Sequence, residues 1–342
     1  MHVSAEGAPV SLEGRRGGAA SARSLARAIA SHQHAPLLIA LILLCVAFQF
    51  LSPVFFTSAN ALNIGRQIAI TSVVAFGATI VIISGEIDLS VGSVMGITSV
   101  LIGIILHGTP VAATNPGANE LIAVLAAVGL GLGIGILNGV VTVFGRIPSF
   151  IVTLGTLSIA RGLAQSYGTG VPDPITSRSF LATFGDGQVL GIPVLIVYMF
   201  AALAATAFLL RGTLFGIQTY ATGGNTEAAR LAGIPVRRVK VAALALGGLL
   251  AGFAGVMGTA RVQTALPQLG LGIELDAIAA VVLGGTRFSG GYGTVVGTLL
   301  GAVLIGVINN GLTLMSVSST YQLVIKGTVI IVAVLLDRIR PR

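Results

Sequence analysis

Charge is scarce in this chain of 342 residues: Asp, Glu, Lys and Arg make up only 9% of it, against about 25% in an ordinary soluble domain. Tryptophan is absent, aromatic residues total 6%, and the only lysines are Lys240 and Lys326. A single cysteine, Cys45, lies in an apolar run. Each shortage excludes something. A lone cysteine rules out an intramolecular disulfide and a multi-cysteine metal site. Neither lysine belongs to a Gly-x-x-x-x-Gly-Lys-Ser/Thr phosphate loop, so this chain has no ATP-hydrolysing site of that kind. The histidines, His2, His32, His34 and His107, stand outside the apolar interiors, and neither a His-Glu-x-x-His pair nor a Gly-x-Ser-x-Gly elbow occurs. No catalytic residue, no metal site and no bound cofactor are expected.

What is present is apolar: 54% of the residues are hydrophobic, in runs such as Leu37–Leu51, Thr71–Ser84, Leu121–Phe144 and Val194–Leu210. Several approach or exceed the roughly 20 residues with which a helix crosses the hydrocarbon core. A spanning segment must satisfy its own backbone, leaving helices or a closed barrel. Barrel strands would alternate polar and apolar residues, and these runs are apolar all round. The expected fold is therefore all-α, a polytopic membrane helix bundle. Polar and Gly/Pro punctuation gives about ten spans: 37–52, 62–83, 88–106, 121–143, 148–165, 192–210, 241–258, 275–286, 294–311 and 321–336. Residues 1–35 form a basic tail, and residues 36–342 the membrane domain.

The net charge of +8 is concentrated at span ends. Arg15, Arg16, Arg23 and Arg27 precede the first span; Arg211, Arg230, Arg237, Arg238 and Lys240 flank the largest polar loop, 211–240; Arg338, Arg340 and Arg342 close the chain. Ten spans with both termini in the cytoplasm put every one of these clusters inside, as the positive-inside rule requires. The charge thus answers to membrane lipid and not to nucleic acid. The outward segments become Pro53–Ala61, His107–Glu120, Gly162–Gly191 and Thr259–Glu274. Glycine is abundant, at 47 residues, and Gly131, Gly135 and Gly139, Gly248 and Gly252, and Gly297 and Gly301 are each spaced by four. Such stripes let helices approach closely.

Within the polar loop, Asn225 is placed to N-cap a short helix, Glu227 complements its positive end, and Gly233 followed by Ile234 and Pro235 stops it. A helix of about two turns does not persist alone in water, so it must pack on something. Ionisable groups inside apolar stretches cost about 3 kcal/mol each to insert and are functional candidates. These are Arg66, with Gln67 beside it, Glu86 and Asp88 with Ser90 at a helix break, and Glu274 and Asp276 at the head of the short eighth span. Asn138, Asn309 and Asn310 are candidates either for the substrate path or for interhelical hydrogen bonds. Asp88 and Asp276 serve either as helix caps or as path groups, and Arg66 either as a path group or as the ion-pair partner of one of these acids. Spans two to five and seven to ten run in opposite senses, which fits inverted repeats.

The Glu-Ala-Ala-x-x-x-Gly spacing from Glu227 through Ala228 and Ala229 to Gly233 resembles the coupling-helix signature of ATP-binding-cassette importer permeases. Ser84-Gly-Glu-Ile-Asp-Leu-Ser-Val-Gly-Ser93, Ile147–Gly155, Gly272–Thr286 with Ser289–Gly293, and Asn309-Asn310-Gly311 resemble long motifs of the ribose-, xylose- and arabinose-type sugar permeases, in the same order. The resemblance runs from about residue 36 to the C-terminus. It implies a bacterial inner-membrane permease homodimer fed by a periplasmic sugar-binding protein. An ATPase subunit holding ATP and Mg would drive it, docked on Asn225, Glu227, Ala228, Ala229, Gly233 and Ile234. The implied substrate is a monosaccharide: a pentose, a hexose or a related polyol. The scarcity of aromatic rings suits a low-affinity conduit. A branched-chain amino-acid permease and an ion-coupled secondary transporter are the alternative readings.

Overall fold

The computed structural model describes residues 35–108, 116–168 and 173–339. The basic tail, with Arg15, Arg16, Arg23 and Arg27, lies outside these residues, as do Arg340, Arg342 and parts of the predicted outward segments 107–120 and 162–191. The described chain is almost wholly helical. The helices are α1 (Ala35–Leu51), α2 (Ser58–Ile83), α3 (Val91–Gly108), α4 (Pro116–Gly145), α5 (Ser149–Tyr167), α6 (Arg178–Leu181, continued by a π turn to Asp186) and α7 (Val194–Gly212). They continue as α8 (Leu214–Gly224), α9 (Thr226–Leu231), α10 (Val236–Val262), α11 (Ile273–Leu283), α12 (Val295–Leu314) and α13 (Ser319–Ile339). The strands are two-residue fragments: β1 (Asp173–Pro174) pairs antiparallel with β4 (Thr264–Ala265), and β2 (Gln188–Val189) with β3 (Ile192–Pro193).

Every predicted span falls on a helix, and α2, α4, α7, α10 and α12 are long and apolar enough to cross a membrane. The third span starts later than its apolar run, because 86–90 is extended and α3 begins only at Val91. The polar loop holds more helix than its composition suggested: α8 fills Leu214–Gly224, and α10 already starts at Val236. Thr213 caps α8 by accepting from the Gly216 amide, a signal hidden by the surrounding glycines.

The bundle is organised around α2, buried from Ile68 to Ile83. Helix α2 packs on α10, α11 and α12; α10 packs on α2, α3 and α4; and α3 meets α4 and α5 as α11 meets α12 and α13. Exchanging α2 with α10, α3 with α11, α4 with α12 and α5 with α13 leaves these contacts unchanged. With lipid as apolar as the side chains, close packing does the holding, and the glycine stripes show how. A Cβ on Gly131 would stand 2.8 Å from the Gly252 Cα, one on Gly135 2.9 Å from the Ala245 Cα, and one on Gly139 2.7 Å from the Val241 Cα. The α4–α10 crossing is thus backbone on backbone. Gly297 and Gly301 serve the α11–α12 crossing in the same way, Gly301 against Ala280 and the Gly284 nitrogen.

Not every glycine is under this constraint. A Cβ on Gly133, in the same helix, meets nothing within 4 Å. Gly131→Leu should therefore destabilise the detergent-solubilised protein by at least the 1–3 kcal/mol typical of overpacking, roughly. Gly133→Leu should melt within a few degrees of the parent, and equal thermal midpoints for the two variants would contradict the crossing.

Candidate functional site

Two helix breaks face each other. Helix α2 ends in a Schellman motif: the Gly85 amide bonds the Ile82 carbonyl (2.9 Å), the Glu86 amide bonds that of Val81 (3.1 Å), and Gly85 takes φ +84°. Helix α11 ends the same way: Gly285 at φ +89° bonds Val282 (2.9 Å) and Thr286 bonds Val281 (3.1 Å). Both motifs need a left-handed residue, which glycine adopts without strain. The two ends touch, because the Gly291 amide donates to the Ile83 carbonyl at 2.9 Å.

The extended stretch 86–90 gets its hydrogen bonds from α5. The Ile87 amide donates to Ser149 Oγ (3.0 Å) and the Leu89 amide to Thr153 Oγ1 (3.1 Å). Asp88, 5% exposed, folds back on the start of α3, its Oδ1 accepting from the Ser90 amide (2.8 Å) and hydroxyl (2.6 Å). The chain of donors continues outward: Asn138 Nδ2 donates to Ser90 Oγ (3.0 Å) and Thr156 Oγ1 to Asn138 Oδ1 (2.6 Å). Asp88, Ser90 and Asn138 thus lock α3, α4 and α5 together around the break.

The buried acids find partners that the sequence did not indicate. Glu86 pairs with Lys240 at 2.5 Å, and Asp276 with Lys326 at 2.9 Å. Arg66 pairs with neither acid, which corrects one of the two roles expected for it. Lys240 on α10 and Lys326 on α13 reach the two acids, whereas Arg66 stands about five turns from Glu86 along α2 and, unlike its neighbour Gln67, does not line the cavity that reaches Asp276. Asn309 donates to Asp276 Oδ2 at 3.1 Å. Asn310, its neighbour, turns away into a reciprocal amide pair with Asn60 (2.8 and 3.0 Å) that ties α12 to α2. Glu274 leaves this group too, lying against Gly92 on α3. Arg161 on α5 pins the 266–271 turn there through the Pro267 carbonyl (2.5 Å) and the Leu269 carbonyl (3.2 Å). Gln67 lines a separate cavity of about 210 Å³ that also reaches Asp276.

On the face where the breaks meet, α9 takes the form expected of it. Asn225 Oδ1 accepts from the Ala228 amide at 2.9 Å, and Glu227 pairs with Arg230 at the surface. Gly233, at φ +81°, ends a third Schellman motif in which the Ile234 amide bonds the Ala229 carbonyl at 3.0 Å. Ala229 is buried, while Glu227, Ala228 and Leu231 point outward. The preceding α8 joins α9 to both breaks. A Cβ on Gly223 would collide with the Ile83 carbonyl oxygen and stand 2.7 Å from the Gly291 nitrogen. One on Gly290 would stand 3.0 Å from both the Gly223 oxygen and the Gly85 Cα. Tyr220 Oη donates to the Gly293 carbonyl at 2.8 Å. Sequence reasoning missed this junction. Its only trace was Gly85 and the pairs Gly223–Gly224 and Gly290–Gly291, far apart in the chain.

The ion pair on Asp276 yields a direct test. Lys326→Met alone leaves a buried carboxylate without its cation and should cost about 3–5 kcal/mol. Lys326→Met with Asp276→Asn should regain most of that loss in thermal unfolding. A single variant as stable as the parent would show that the pair does not hold α13.

A family model described as "Branched-chain amino acid transport system / permease component" matches residues 60–334. The ribose import permease of Bacillus subtilis (strain 168) is 44% identical over 300 residues, covering 87% of this chain and 90% of the relative. That of Escherichia coli (strain K12) is 44% identical over 305 residues, covering 88% and 92%. The galactose/methyl galactoside import permease of the same strain is 36% identical over 315 residues, covering 88% and 93%. No solved structure matches the chain. With the family model spanning most of its length and sugar permeases among its relatives, this multi-pass membrane protein belongs to the permease family of ATP-binding-cassette importers.

Proposed function

We propose that the protein is the membrane-spanning subunit of an importer that carries a monosaccharide, a pentose, a hexose or a related polyol, through alternating access. It would act as a homodimer in the bacterial inner membrane. A periplasmic binding protein would deliver the sugar, and a separate ATPase subunit would hydrolyse ATP with Mg. The names of the relatives support sugar over branched-chain amino acids, although the family heading mentions the latter. Ten spans with both termini inside remain the topology that keeps the basic clusters together. The exchange symmetry of the helix contacts supports inverted repeats of spans two to five and seven to ten.

One observation carries the coupling assignment: α9 is joined through the Gly223–Gly224 backbone to both helix breaks. A six-residue helix cannot be stable alone, yet this one is capped at both ends and offers Glu227, Ala228 and Leu231 to a partner. In this reading Asn225, Glu227, Ala228, Ala229, Gly233 and Ile234 form the ATPase-docking element. Closure of the ATPase pair displaces α9, and α8 passes the displacement to Ile83–Gly85 and Gly290–Gly291 without side chains that could give. An ion-coupled carrier would have no need of such an element.

Docking and transmission separate experimentally. Leu231→Glu or Glu227→Arg should abolish co-purification of the ATPase subunit from native membranes. Gly223→Val should leave the complex assembled and ATP hydrolysis running while lowering sugar uptake at least about tenfold, roughly 1.4 kcal/mol of coupling. Full uptake in Gly223→Val, or normal complex formation in both docking variants, would sink this assignment.

A further inference from the structure

Asp276 is only 7% exposed, and both of its hydrogen-bond donors act on one oxygen. Lys326 Nζ (2.9 Å) and Asn309 Nδ2 (3.1 Å) bond Oδ2, while Oδ1 has no partner. An unsatisfied buried acceptor is costly, and Asp88 Oδ2 and Glu274 Oε2 are unpartnered too, so what sets Asp276 apart is its position. The residue lines the cavity of about 210 Å³ bounded by α2, α3, α10 and the turn that leads into α11. Three other polar side chains line that cavity: Gln67 and Thr71, one turn apart on α2, and Arg261 near the end of α10. Arg261 donates to Asn63 at 3.3 Å, at an exposed position. Met95 and Leu269 supply apolar wall.

We propose that this cavity is a sugar subsite on the transport path, with the Asp276 carboxylate and the Gln67 amide as its hydroxyl-reading groups. The proposal rests on the sugar-permease reading and adds where in the chain the sugar is held. The lining fits a neutral polyol. A ring sugar carries vicinal hydroxyls that donate to a carboxylate oxygen and to an amide oxygen while accepting from an amide N–H or a guanidinium. Its C–H face packs on apolar wall. Lys326 balances the charge of Asp276 from outside the cavity, so the carboxylate accepts hydrogen bonds without demanding a cation. An amino acid would pair its ammonium with Asp276 and its carboxylate with Arg261, so the names of the relatives, and not the lining, favour sugar here.

Of the residues expected on the path, this assigns Gln67 and Asp276 to substrate, with Asn309 and Lys326 positioning the carboxylate. Arg66, Glu86, Asp88, Ser90, Asn138, Glu274 and Asn310 do not line this cavity. Thr71 and Arg261 are added. Neither was visible as a candidate, because a threonine in an apolar run and an arginine near a helix end are unremarkable in isolation.

The test keeps the Asp276–Lys326 pair intact. In a Cys45→Ala background, Thr71→Cys in the assembled transporter is labelled with methanethiosulfonate ethylammonium, with D-ribose, D-galactose or L-leucine in excess. Labelling should slow at least threefold with a sugar that the wild type imports and not with leucine. Gln67→Leu, expressed and assembled normally, should import that sugar at least tenfold more slowly. Labelling untouched by an imported sugar, or full uptake in Gln67→Leu, would overturn the subsite while leaving the permease reading standing. Protection by leucine alone would overturn the sugar class of the site. A wild-type transporter that imports leucine and no sugar would overturn the reading beneath it.

Discussion

An apolar solvent tolerates no unpaired backbone, and the structure is built around two places where helix gives way within the bundle. Each unsatisfied amide or carbonyl in hydrocarbon costs several kcal/mol, so a break is possible only where protein supplies the missing partners. At 84–90 the hydroxyls of Ser149 and Thr153 take the Ile87 and Leu89 amides, and the Asp88 carboxylate takes that of Ser90. At 284–291 the Schellman turn satisfies its own carbonyls, and the Gly291 amide takes the spare carbonyl of Ile83. The second break therefore completes the first. Neither can open without exposing a backbone group of the other.

The few charges follow from the same solvent. Both lysines of the chain are spent on buried carboxylates, Lys240 on Glu86 at the first break and Lys326 on Asp276 at the head of α11. A carboxylate left alone there would be driven to protonate or would draw water inward. Paired as they are, the acids fix α10 and α13 against the ends of α2 and α11. Paired so unevenly, Asp276 keeps one oxygen in reserve.

Glycine converts these constraints into mechanics. Where two backbones meet without side chains between them, as at Gly131 with Gly252 or Gly223 with Gly291, little can be compressed. A displacement at one side of such a contact passes to the other or breaks it. In the proposed coupling, close packing and transmission of movement are one property of the same residues, which accounts for the attachment of the short α9 through glycine and not through a polar linker.

The sequence by itself determined the solvent, the helices and the short capped helix after Asn225. Fifty-four per cent apolar residues in long runs allow no other architecture. Hydrophobic runs and capping are local properties, so the spans and the Asn225–Gly233 helix were legible from neighbouring residues alone. The partners were not. That Asp276 would take Lys326 rather than Arg66, that Asn310 would pair with Asn60 while Asn309 joined Asp276, and that Gly223 would meet Ile83 and Gly291 are matters of which helix faces turn toward each other. In a bundle where nearly every face is apolar, the sequence pattern carries little record of rotation about the helix axis. Only the tertiary packing, set by where glycine permits close approach, decides which polar groups share a pocket.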